Sequence, residues 1–235
     1  DEFMKSYFVN NLLDDAYDNV LNSFSNTTFT GKEGINLIGY MIYGYQQVKD
    51  IPLTTPFALG RQHAPDIRDR KYLIIDKIPI KPSSLTSRYW NDDEWWGNQG
   101  NTSQCVGYAW SHWIEDGPIA HSGPSPIVNP TLIYKEAQKV DEWPGENYDG
   151  TSVRAAAKYL QKIGKIKSYY WAFDVNTLMN TVLNVSPVVV GTYWFYNMFY
   201  PDRTGLIRAT GRIAGGHAYV INGVDTVKKQ FRIKN

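Results

Sequence analysis

Asn98-Gln99-Gly100-Asn101-Thr102-Ser103-Gln104-Cys105-Val106-Gly107-Tyr108-Ala109 is the stretch on which the reading of this chain turns. Polar, turn-prone residues give way here to an apolar run at helical spacing. Val106, Ala109, Trp110 and Trp113 share one side and Gly117-Pro118 supplies a stop, so a helix is predicted from Ser103 to Asp116. Cys105, the single cysteine of 235 residues, then stands at a helix N-terminus. A thiol is mostly protonated near neutral pH, and a helix N-terminus with a nearby imidazole stabilises the thiolate, which is the nucleophilic form. A Cys105 pKa below the ordinary thiol value is therefore expected. The alternative for a lone cysteine is an inert, buried side chain.

Downstream, two helices are predicted over 130–141 and 151–163, the second opened by a Gly-Thr-Ser cap and closed by Gly164. A short one is predicted over 174–184. After Pro187 the text becomes strand-like in Val188–Trp194, His217–Ile221 and Gln230–Lys234. Helices first and strands second predict an α+β protein, a helical lobe and an antiparallel β lobe facing each other across a cleft. Upstream, 5–24 and 32–49 carry helical periodicity, and Pro52, Pro56, Pro65, Pro79 and Pro82 mark 51–96 as extended, wrapping chain. The division expected is an N-terminal helical extension over 1–50, a pro-segment or docking element, and a catalytic domain over 51–235.

Hydrophobic residues make up 43% and charged residues 20%, ordinary for a folded domain and unlike a disordered chain. With 24 basic and 23 acidic side chains the net charge is +1, so no global field recruits nucleic acid. The longest apolar stretch, near Ile35–Tyr45, is too short and interrupted to span a bilayer. A single cysteine excludes an intramolecular disulfide. A glycan on the Asn101 sequon would sit beside the nucleophile, which argues against eukaryotic secretion. The expected setting is soluble, bacterial or viral, and cytoplasmic or virion-associated.

The Gln99–Ala109 stretch resembles the nucleophile segment of papain-like cysteine peptidases, where Gln-Gly precedes the cysteine by the same spacing. The resemblance implies that Gln99 turns its amide toward the substrate carbonyl, with the Cys105 N–H as the second oxyanion donor. Thr102-Ser103-Gln104-Cys105-Val106 lacks the upstream cysteine and the following aromatic of the familiar signature, which points to disulfide-poor bacterial and viral members. The stretch from Leu59-Gly60-Arg61 to Asp69 is similar to those members too. Of four histidines, His217 follows Gly215-Gly216 and begins an alternating strand; Gly215–Val220 resembles the family's histidine segment, making His217 the base and Gly216 a residue of the substrate groove. His112 lies roughly 10 Å along the helix from Cys105, too far for contact, and is read as structural; His63 and His121 stand in loop text. Phe231–Asn235 is similar to the strand delivering the orienting asparagine, so Asn235 would fix the imidazole, and the family's strands continue beyond this point. Asp149-Gly150-Thr151 resembles the turn walling the groove, making Gly150 a substrate-backbone ligand.

What the resemblance implies is a cysteine endopeptidase acting through a Cys-His-Asn triad and a thioester on a peptide or protein substrate, kept as a zymogen, with no metal or organic cofactor. The enzymatic rival is another Cys-His amidase or acyltransferase, disfavoured by the long separation between Cys105 and His217. A rival of a different class is a non-catalytic papain-like binding or structural module of a virion or multidomain protein.

Overall fold

A computed structural model describes residues 58–78, 84–90, 95–118 and 127–235. The helices expected over 5–24 and 32–49, and His121, lie outside the described residues. Five helices appear in what is described: α1 (Ile74–Lys77), α2 (Cys105–Asp116), α3 (Pro130–Gln138), α4 (Val153–Lys162) and α5 (Val175–Asn184). The strands are β1 (Ser87–Tyr89), β2 (Val188–Phe195), β3 (Ile213–Asp225) and β4 (Gln230–Lys234). The extended stretch after Ile51 also holds β1, α1 and a 3-10 turn at Ile67–Lys71, which periodicity did not predict because each is too short to show a period.

Helices α3, α4 and α5 each start where a side chain takes over an orphan backbone donor, whereas α2 starts at Cys105 with no side-chain cap. Asn129 accepts from Leu132 N–H with Pro130 at the first helical position, Ser152 accepts from Ala155 N–H, and Asp174 accepts from Thr177 N–H. Gly164, at φ 72°, turns the chain out of α4. Helix α2 is held at several heights by side chains that donate into neighbouring backbone. Trp110 Nε1 reaches Val153 O (3.0 Å), Ser111 Oγ reaches Val128 O (2.8 Å) and Trp113 Nε1 reaches Pro187 O (2.8 Å).

β3 is the longest strand and pairs antiparallel with β1, β2 and β4. Alternation sends its side chains to opposite faces. Ala218 and Val220, with Val189 of β2, meet α2, α3 and α4 in one core that includes the fully buried Ile133 and Leu160. Tyr219, Ile221 and Val224, with Val190 and Trp194 of β2, meet Leu178 and Val182 of α5 in a second. Burying an aliphatic side chain of this size contributes about 1.5–3 kcal/mol, so both faces of the sheet anchor β3. The register sets Thr192 opposite His217 and Gly191 opposite Ala218.

Candidate active site

Helix α2 begins at Cys105, as its sequence requires, and β3 carries His217 at the same end of the molecule. Cys105, His217, Asn235 and Gln99 all line one cavity of about 380 Å³ between α2, the loop over 95–104 and the ends of β2, β3 and β4. His217 Nε2 lies 2.6 Å from Asn235 Oδ1. A carbonyl oxygen only accepts, so Nε2 carries the proton and Nδ1 keeps its lone pair. Nδ1 is buried without a hydrogen-bond partner among the described residues. Trp194 stands edge-on to the imidazole with ring centres 4.8 Å apart.

Asn235 is held from behind. Lys234, fully buried, donates to Asp116 Oδ1 at 2.6 Å, and Asn222 Nδ2 donates to Asp116 Oδ2 at 2.7 Å. Asp116 closes α2, so the helix that starts with Cys105 ends on a buried ion pair to the residue beside Asn235. Such a pair tolerates the loss of one partner poorly, because the other charge is left stranded.

Within this cavity the cysteine is covered by the chain itself. Ala58–Gln62 runs as an extended strap over the cysteine and bonds to both sides. Gln99 Nε2 donates to Ala58 O (3.0 Å) and to Thr102 O (2.5 Å). Arg61 N donates to Gly216 O (3.0 Å), Thr151 N donates to Gly60 O (3.0 Å) and Gln62 N donates to Thr151 O (2.9 Å). A Cβ on Gly60 would stand 1.9 Å from Ser103 O, and one on Gly216 would stand 2.1 Å from Arg61 O, so both contacts exist only because these positions lack a side chain. The Arg61 side chain lies over Gly191 with its guanidinium 5.6 Å from the Tyr193 ring centre, and its buried Nε has no hydrogen-bond partner among the described residues.

Sealing changes the electrostatics of the pair. Cys105 is 1% exposed. Burial pushes its thiol up to about 11, although the backbone amides of Ala218 and Gly60, the Arg61 charge and the Val106 amide all favour the thiolate. This overturns the depressed thiol expected from the helix N-terminus: the helix and imidazole are where the sequence put them, and exclusion of water outweighs them. Burial also brings His217 down to about 4; the Asn235 hydrogen bond opposes that shift and the Arg61 charge adds to it. With the strap in place both partners are neutral at neutral pH. The backbone N–H groups of Ala218, Gly60 and Val106 all meet the sulfur, so the strap contributes a donor there.

Two residues read from the sequence as substrate ligands fare differently. Gly216 offers its carbonyl to the strap. Gly150, at φ 91°, donates its N–H to the Tyr134 hydroxyl (3.1 Å) and accepts from Gln138 Nε2 (3.3 Å), so its own bonding groups turn inward. Thr151, one residue on, does the pairing. Sequence reasoning names Leu59-Gly60-Arg61 and Asp149-Gly150-Thr151 as resemblances but does not foresee that they pair over the cysteine, since a five-residue extended stretch has no period. The strap is pinned where it leaves the cavity. Buried Arg154 donates to Asp69 (2.6 and 3.2 Å), to Glu142 (2.9 Å) and to Ala64 O (2.6 Å).

No described helix is long and apolar enough to cross a membrane. No family model and no curated protein matches the sequence. The fold is similar to that of xylellain, a cysteine protease from Xylella fastidiosa, with a TM-score of 0.58 at 19% identity over 79% of this chain and 87% of that one.

Proposed function

We propose that this chain is a cysteine endopeptidase of two-lobed, papain-like architecture, in a latent form. The observation that carries the reading is the gathering of Cys105, the His217–Asn235 pair and Gln99 around one cavity. With the strap withdrawn, water and substrate enter, and the desolvation that now raises the thiol and lowers the imidazole falls away. His217 Nδ1 takes the Cys105 proton and the thiolate attacks the scissile carbonyl. Gln99 Nε2 and the Cys105 N–H receive the developing oxyanion. Collapse forms a thioester and His217 returns the proton to the leaving amine; water then releases the acid and regenerates the thiol. Asn235 holds the tautomer throughout, Gly216 and Thr151 offer the backbone groups now used by the strap, and no cofactor enters.

The similarity of the fold to a bacterial cysteine protease supports this reading. The buried, neutral thiol favours a second one, a non-catalytic module that keeps the constellation but never opens. An irreversible epoxysuccinyl inhibitor of thiol peptidases separates them. Time-dependent labelling of Cys105, lost in His217→Ala, is expected of the peptidase, and a thiol that resists labelling even when the strap is displaced belongs to the closed module.

A further inference from the structure

The peptidase reading leaves a second buried histidine without a task. His112 lies two turns along α2 from Cys105, is 1% exposed and lines the same cavity. Its Nε2 accepts the backbone N–H of Gly97 at 3.0 Å, so that nitrogen is unprotonated here. The ring is gripped by Trp95, with centres 4.8 Å apart, and by Tyr108 at 6.5 Å.

Gly97 sits just before Gln99, in a loop with no regular structure between Trp95 and Gln104. Among the described residues, the other hydrogen bonds of Asn98, Gln99, Gly100 and Thr102 run within that loop or to Ala58 of the strap. When the strap leaves, the bond to Ala58 leaves with it, and the His112–Gly97 bond still ties the loop to α2. Resting on the peptidase reading, the geometry points to His112 as a positioning residue for the oxyanion loop: by accepting the Gly97 N–H, its Nε2 fixes where the Gln99 amide stands relative to Cys105, because His112 and Cys105 share helix α2.

The surroundings keep that acceptor available. Burial, reinforced by the Lys234 charge, brings His112 down to about 4, so the ring stays unprotonated at neutral pH. The buried ammonium beside Asn235 thus serves the other end of the site as well. A protonated imidazole would turn a donor against Gly97 N–H.

A residue that acts through Gln99 cannot cost more than deleting Gln99. His112→Leu, His112→Gln, Gln99→Ala and the Leu/Ala double variant, each made in the full-length Gly60→Val chain so that the clash with Ser103 displaces the strap, are compared for kcat and KM on a fluorogenic peptide, with Gly60→Val/Cys105→Ala as the blank. His112→Leu is expected to lower kcat by about 10-fold with KM within about 2-fold. It should add less than about 2-fold in the Gln99→Ala background, and His112→Gln, whose amide oxygen can accept from Gly97, should recover most of the loss. An undiminished effect in the Gln99→Ala background, a change confined to KM, or no change overturns the inference. His112→Met replaces the Leu variant if that does not fold. Should Gly60→Val be no faster than Gly60→Val/Cys105→Ala, the peptidase reading fails, and amide exchange at Gly97 decides the rest. Faster exchange at Gly97 alone in His112→Leu supports the inference, and unchanged exchange overturns it.

Discussion

His217 and Cys105 show how much one covering segment can change two residues without moving them. The Asn235 hydrogen bond favours the protonated imidazole, yet burial and the Arg61 charge hold the ring unprotonated, and burial holds the thiol protonated. Alkylation of the full chain against pH should therefore inflect near 11 rather than near the ordinary 8.5, and a profile at or below 8.5 would mean that the thiol is already open. Once the site is open, Gln99→Ala is expected to lower kcat by roughly 10–1000-fold with KM little changed, because one oxyanion donor counts most as charge develops. Equal loss in kcat and rise in KM would make Gln99 a binding residue instead. The positions of these side chains were legible in the sequence, since the flanks of Cys105, His217 and Asn235 carry them. Their protonation states were not, because those depend on a segment far away in sequence.

Among the elements, α2 and β3 are the frame and the strap is the variable part. Both were readable, α2 from its one-sided apolar spacing and β3 from its alternation, and the structure extends β3 well beyond the expected five residues. The strap was not readable as such, and the cavity's cover was sought in 1–50, which lies outside the described residues. What Ala58–Gln62 shows is backbone pairing to Gly216 and Thr151, a contact that depends on Gly60. Gly60→Val adds a side chain against Ser103 backbone, an overpacking of about 1–3 kcal/mol that only displacement of the strap relieves. Epoxysuccinyl labelling of Cys105 should be roughly 5- to 150-fold faster in that variant, since about 1.4 kcal/mol shifts an equilibrium tenfold. A rate equal to wild type in a folded protein would show that the strap does not control access.

For the molecule as a whole, the two buried histidines make acid a stress. His112 and His217 both stand near 4 in the fold against 6.5 when exposed, so unfolding takes up protons between those values. Their share of stability is fully present above 6.5 and is lost as pH falls toward 4. Chemical denaturation midpoints should drop across that window, less steeply in His112→Gln; a midpoint that is flat or rises on acidification would contradict the buried, unprotonated assignment. The Asp116–Lys234 pair, which joins the helix carrying Cys105 to the strand ending in Asn235, was invisible in sequence because two charges in separate elements announce no partnership.

The measurement that bears most directly on the central claim is hydrolysis of an unstructured protein substrate by Gly60→Val and by Gly60→Val/Cys105→Ala, with the products read by mass spectrometry. The account predicts new peptide termini from the first and none from the second, both chains remaining folded. Cleavage that persists without Cys105, or a folded, strap-displaced chain that labels readily yet cuts nothing, would contradict it.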